Sequence, residues 1–123
     1  MNYLDEAMVF YKRSLEINPQ YKDSSSNLAA LYQAMGRVND AADIFRTLLP
    51  YMEKDAPFFN NYGALLGLLG KFDQEKMYLQ RALTLNPNLN EAHTNLAGHY
   101  QEQMEIQLAT EHLEIASRYI YIY

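Results

Sequence analysis

Apolar residues recur along this chain with a helical period, and the runs that carry it are short. Between residues 2 and 17, Leu4, Ala7, Met8, Tyr11 and Leu15 share one helical face, with Lys12, Arg13 and Glu16 outside it. Asn18-Pro19 predicts the end of this run, because the residue before a proline is pushed out of the α region. A second helix follows Tyr21, with Asp23 or Ser24 as its cap; it turns Leu28, Leu31, Tyr32 and Met35 inward and stops at Gly36. A third starts at Val38, buries Ala41, Ala42, Ile44, Phe45, Leu48 and Leu49, and runs out near Tyr51, where Pro50 distorts its last turn. Asp55-Ala56-Pro57 opens a fourth, which passes through Phe59, Tyr62, Leu65, Leu66 and Leu69 to Gly70. The fifth spans Phe72 to Leu85 and ends at Asn86-Pro87. The sixth, Asn90 to Gln103, holds Leu96 and Tyr100 inside; the seventh, Ile106 to Ile120, does the same with Ala109, Leu113 and Ala116. No strand alternation or hairpin signal intervenes, so the pattern predicts an all-α protein of about seven helices.

The helices repeat. Leu28, Tyr62 and Leu96 lie 34 residues apart, and so do the small residues Ala29, Gly63 and Ala97 that follow them. Tyr32, Leu66 and Tyr100 keep that spacing, as do Ala7, Ala41, Glu75 and Ala109, and Tyr11, Phe45, Leu79 and Leu113. Pro19 is answered by Pro87, two periods later. Small residues let two helices approach closely, and the larger ones fill the gaps between successive pairs. Each pair leaves an apolar face that the next pair must cover.

This pattern resembles the tetratricopeptide repeat family, whose unit is a helix–turn–helix of 34 residues. The resemblance implies a right-handed α-solenoid with a concave groove lined by the first helix of each unit. It divides the chain into the second helix of an incomplete unit at 1–21 and whole units at 22–55, 56–89 and 90–123. Several positions depart from the family pattern. Glu75 replaces an alanine, and Gly63 opposite is expected to make room for its stem. Ser25 and His93 occupy the bulky register that Phe59 fills, while Glu53 and Met104 stand where proline and glycine are usual. These are expected to weaken local stops without changing the fold. The chain opens on a second helix and finishes on the apolar Tyr119-Ile120-Tyr121-Ile122-Tyr123. It is expected to be a segment of a longer array whose exposed terminal helices self-associate.

Composition narrows the function classes. Hydrophobic residues make up 49% and charged residues 20% of the 123, with a net charge of −5 and no block of like charge. A nucleic-acid partner is therefore not expected. The longest apolar run, Ala64 to Leu69, falls well short of the roughly 20 residues that span a bilayer. The absence of cysteine removes disulfides, thiolate metal sites and a thiol nucleophile, and leaves the compartment open.

The candidate chemistry lies on the first helices. Asn27, Asn61 and Asn95 recur at the repeat spacing, and a side-chain amide both donates and accepts, so it can hold a peptide backbone without reading side chains. A similar amide ladder lines the superhelix of O-linked N-acetylglucosamine transferases, whose repeats this chain resembles. Gln33, Asn60, Thr94 and Gln101 share the face and complete the expected peptide-binding set. None of the residues on that face is Lys or Arg, which disfavours the basic clamp with which related domains grip acidic chaperone C-termini. His93, His99 and His112 lack metal-ligand spacing, and Gly63 to Lys71 runs into Phe72 where a phosphate loop needs Ser or Thr. No cofactor, metal or catalytic constellation is expected. The sequence thus points to a protein–protein interaction module that takes an extended peptide or helix. Its alternatives are a non-catalytic, substrate-recruiting arm of a larger enzyme such as a glycosyltransferase, and a self-associating scaffold.

Overall fold

The computed structural model describes residues 3–18 and 22–122. Among them run six α-helices and one 3₁₀ turn, with no strand: α1 Tyr3–Ile17, α2 Lys22–Ala34, α3 Val38–Leu48, the turn Leu49–Tyr51, α4 Ala56–Leu68, α5 Phe72–Leu85 and α6 Asn90–Ile122. Each helix packs on the next in the chain, and α4 also reaches α6, which makes a helical solenoid. No helix among the described residues is long and apolar enough to cross a membrane.

The helix ends follow from local chemistry. Asn18 closes α1 by donating its N–H to the Ser14 carbonyl at 2.9 Å; Pro19 and Tyr21 lie outside the described residues. α2 is already helical at Lys22, ahead of both expected caps, and Ser24 is buried instead. α3 ends at Leu48, and the chain tightens into the 3₁₀ turn around Pro50, which has no N–H to donate. Asp55 caps α4 by accepting the Phe58 N–H at 3.0 Å, with Pro57 in the first turn.

Two glycines close the hairpins. Gly36 and Gly70 have φ of 77° and 74°, the left-handed backbone in which a side chain is disfavoured. Arg37 N–H then reaches the Tyr32 carbonyl at 2.8 Å, and Lys71 N–H reaches that of Leu66 at 3.0 Å. This pair of bonds absorbs the last carbonyls of α2 and α4 and reverses the chain.

At the third equivalent position the sequence has Met104, and there the expectation of two helices fails. α6 continues as one helix of 33 residues, about 50 Å at 1.5 Å per residue. Placing methionine in left-handed backbone costs about 1–2 kcal/mol, whereas helix interior suits it as well as almost any residue. With no fold-back, the residues expected inside the seventh helix are bare. Leu113 is 71% exposed, while Leu79 at the same register is 0% exposed, and Ala109 is exposed as well. Tyr100 and Met35, also expected inside, are exposed, and the side chain of Ala116 lies outside the described residues.

The core sits between α2 and α5. Leu28, Leu48, Phe59, Leu65, Leu66 and Leu79 are fully buried there. An aromatic seam binds α3, α4 and α5: Phe45 stacks on Tyr62 with centroids 5.4 Å apart, Phe59 stacks on Tyr78 at 5.8 Å, and Tyr62 meets Tyr78 at 4.8 Å. Offset and tilted rings at these separations add roughly 0.5–1.5 kcal/mol per pair beyond their burial.

Burial first, and then neighbouring Tyr78, raise the Tyr62 phenol above its usual pKa of 10.0. The unfolded chain therefore ionises before the folded one, so this contribution is intact below about pH 10 and is lost as pH rises beyond it. Tyr62→Phe is expected to lose a few degrees less of melting temperature than the wild type between about pH 9 and 11. Parallel thermal melts followed by circular dichroism check this.

Candidate functional site

A groove runs along α2, α4 and α6. Its first hollow, about 370 Å³, is lined by Ser26, Ala30 and Gln33 of α2 and by Pro57, Phe58, Asn61 and Ala64 of α4, with Phe45, Met52 and Asp55. The second, about 310 Å³, lies between α4 and α6, lined by Ala64, Gly67, Thr94, Asn95, Gly98 and Glu102, with Leu68, Glu75 and His99. Gln33 and Ala64 line both, so the hollows join. No Lys or Arg lines either one. A roomier hollow of about 750 Å³ opens where residues 50–57 meet the end of α5; it shares Met52, Asp55 and Pro57 with the first hollow, adds Lys54, and is lined by no residue of the expected set.

The seven expected residues fall into three groups. Gln33, Asn61, Thr94 and Asn95 line the groove, with Thr94 donating its hydroxyl to the Asn90 carbonyl at 3.1 Å. Asn60 is 2% exposed and acts behind the groove. Its Oδ1 accepts from Asn95 Nδ2 at 2.8 Å, and its own Nδ2 donates to Asn61 Oδ1 at 3.3 Å. This chain of amides ties α6 to α4 and orients Asn61. Asn27 and Gln101 are exposed but line neither hollow, and Gln101 donates to Glu105 at 3.3 Å.

Beside the second hollow, His99 Nδ1 donates to Glu75 Oε1, and both side chains are buried. Each of the two buried groups meets a hydrogen-bonding partner directly, which offsets its desolvation. The sequence pointed to Gly63 as the residue that makes room for Glu75, but space for the carboxylate comes from Gly67. A Cβ on Gly67 would lie 1.7 Å from Glu75 Oε2, whereas one on Gly63 would meet Leu79 Cγ at 3.0 Å and the Glu75 backbone carbonyl at 3.2 Å. Of these residues only Glu75 is marked in the sequence, as a departure from the repeat, and His99 is distant along the chain and was not legible as its partner. His93 is occupied elsewhere, with Nε2 2.8 Å from the Pro87 carbonyl, and His112 is exposed. Among the described residues no three His, Cys, Asp or Glu side chains converge as a metal site would require.

Comparison with known proteins places this geometry. Models of the tetratricopeptide repeat match residues 4–60 and 56–89, together well over half of the chain. The chain belongs to the tetratricopeptide repeat family. Among solved structures, this tetratricopeptide repeat chain is similar to MamA, with 24% identity and a TM-score of 0.75 over 88% of its length; it spans 63% of that protein. It is similar also to the first repeat domain of Spaghetti (RPAP3) bound to the HSP90 peptide SRMEEVD, at 23% identity and TM-score 0.74, covering 82% of this chain and 80% of that one. The Sgt2 repeat domain from Aspergillus fumigatus matches at 19% identity and TM-score 0.73, over 85% and 70% of the two chains. These identities establish the fold alone. No curated protein matches the chain.

Two glycine substitutions should part in sign. Gly67→Ala displaces the Glu75 carboxylate and strands His99, which is expected to cost about 3 kcal/mol. Gly98→Ala meets nothing within 4 Å and replaces a helix-interior glycine, so a gain of about 0.5–1 kcal/mol is expected. Urea unfolding of the two variants beside the wild type measures both.

Proposed function

We propose that this chain is a protein–protein interaction module that holds an extended, neutral or basic peptide in the groove along α2, α4 and α6. The observation that carries this reading is the continuous hollow lined by side-chain amides and carboxylates and by no cation. In it the exposed amides of Gln33 and Asn61 face a peptide backbone, Asn61 with its Oδ1 already held by Asn60 from behind, and Asn95 and Thr94 extend the row. Asn27 and Gln101 prolong the row at its margins. Small residues at Ala30, Ala64 and Gly98 leave room for the peptide to lie flat. The repeats behind this groove are taken to begin at Lys22, Ala56 and Asn90, after the half unit at 1–21.

The likeness to a domain that binds SRMEEVD supports peptide capture, but the electrostatics favour a different peptide. Asp55, Glu75 and Glu102 line the hollows here, and like charges brought together in a partly desolvated groove repel. The amide row is also what favours a second reading, a substrate-recruiting arm of a larger enzyme such as a glycosyltransferase. The bond from Asn95 to Asn60 breaks the uniformity of the ladder that such an arm would use.

The test is a peptide array graded in net charge from acidic to basic, followed by fluorescence polarisation of the best binder. Basic and neutral peptides are expected to bind, and acidic ones ending in EEVD to bind at least tenfold more weakly. Gln33→Ala/Asn61→Ala, altered at two exposed positions, is expected to weaken the best binder by about tenfold, roughly the 1.4 kcal/mol of one or two lost hydrogen bonds. Because Asn61→Ala also leaves the buried Asn60 Nδ2 unpaired, the double variant's melting temperature is expected to fall by a few degrees, and binding is compared at a temperature where both chains are fully folded. Equal binding of acidic and basic peptides, or an unaltered dissociation constant in the double variant, defeats the proposal.

A further inference from the structure

The straight run of α6 through Met104 leaves two surfaces bare, and the repeat register makes them complementary. In the second hairpin, Gly63 of α4 sits against Leu79 and the backbone of Glu75 in α5. Moved by one period of 34 residues, those contacts become Ala97 against Leu113 and Ala109. All three are on α6, and Ala97 cannot meet the other two within one unbroken helix. Both sides are exposed as a result. Tyr100 is 47% exposed where Leu66, its equivalent, is 1% exposed, and Ile106 and Leu113 are bare where Phe72 is half-buried and Leu79 is covered.

We infer that a second copy of this chain completes the open hairpin, by reciprocal exchange of the outer half of α6. Residues 106–118 of one copy lie across Ala97 and Tyr100 of the other, and its own Ala97 and Tyr100 receive the partner's segment in turn. The two α6 helices then run antiparallel about a two-fold axis beside Met104. Register commits the occupant to this chain, since in the exchanged segment Leu113 repeats Leu79 and Ile106 takes the apolar place of Phe72 on the face that α5 uses. The geometry also closes: an antiparallel pairing that sets Ala97 opposite Leu113 sets Leu113 opposite Ala97 in the partner, so one contact is made twice and no further apolar edge is left for growth there. This assembly does not rest on peptide binding, and the groove residues Gln33 and Asn61 take no part in it.

Sedimentation of the wild type from low to high micromolar concentration is expected to show a monomer–dimer equilibrium. Met104→Gly supplies the residue that Gly36 and Gly70 supply elsewhere, lets the hairpin fold back within one chain, and is expected to shift that equilibrium to the monomer at unchanged helicity. A wild type that stays monomeric throughout overturns the inference, and so does a Met104→Gly chain that dimerises as the wild type does. Should Met104→Gly fail to fold, cysteines decide, because the chain has none of its own. Oxidation of the Ala97→Cys/Leu113→Cys variant is expected to give a covalent dimer on a non-reducing gel. A disulfide formed inside one chain overturns the exchange.

Discussion

The left-handed backbone at a single residue per hairpin is what converts a helical period into a layered fold. At Gly36 and Gly70 it ends a helix, satisfies the carbonyls left over, and returns the next helix along the first. Every burial in α3 and α5 presupposes that return, including the aromatic seam and the wholly covered Leu79. Where the conformation is withheld, at Met104, the same apolar spacing continues and buries none of the described side chains beyond it. Hydrophobic pattern therefore specifies what each helix would like to cover, and the turn specifies whether it can.

The groove shows how polar groups are used between successive layers. Asn60 lies deep enough to need both ends of its amide satisfied, and it finds them in Asn95 and Asn61. Glu75 and His99 answer the same need with an ionisable pair, in the space that Gly67 leaves. Both arrangements join α6 to the α4–α5 hairpin. The polar side chains that shape the groove are thus also the ones that set the angle of its last wall.

Much of this was legible in the sequence, and the misses have physical causes. The spacing of Leu28, Tyr62 and Leu96 and the glycines at 36 and 70 gave the helices, their period and nearly every boundary, because these depend on neighbours close along the chain. The continuation through Met104 was missed by giving register more weight than turn chemistry. Gln33, Asn61, Thr94 and Asn95 were found from the face they share. The burial of Asn60 and the meeting of Glu75 with His99 depend on the rotation of one helix against another, which a period of 34 does not encode. The role of Gly67 in place of Gly63 is a difference of one helical turn, finer than register alone resolves.

The aromatic seam across α3, α4 and α5 has a consequence for how the chain reaches this structure. Phe45, Phe58, Phe59, Tyr62 and Tyr78 come from within a few turns of one another, so their association closes only short loops. A solenoid assembled from such neighbours has no obligatory distant contact, and folding can begin at its best-packed segment and spread outward. The seam makes the middle of this chain that segment. Structure should then spread from α4–α5 toward both ends, with the last turns of α6 the final part to gain protection and the first to lose it.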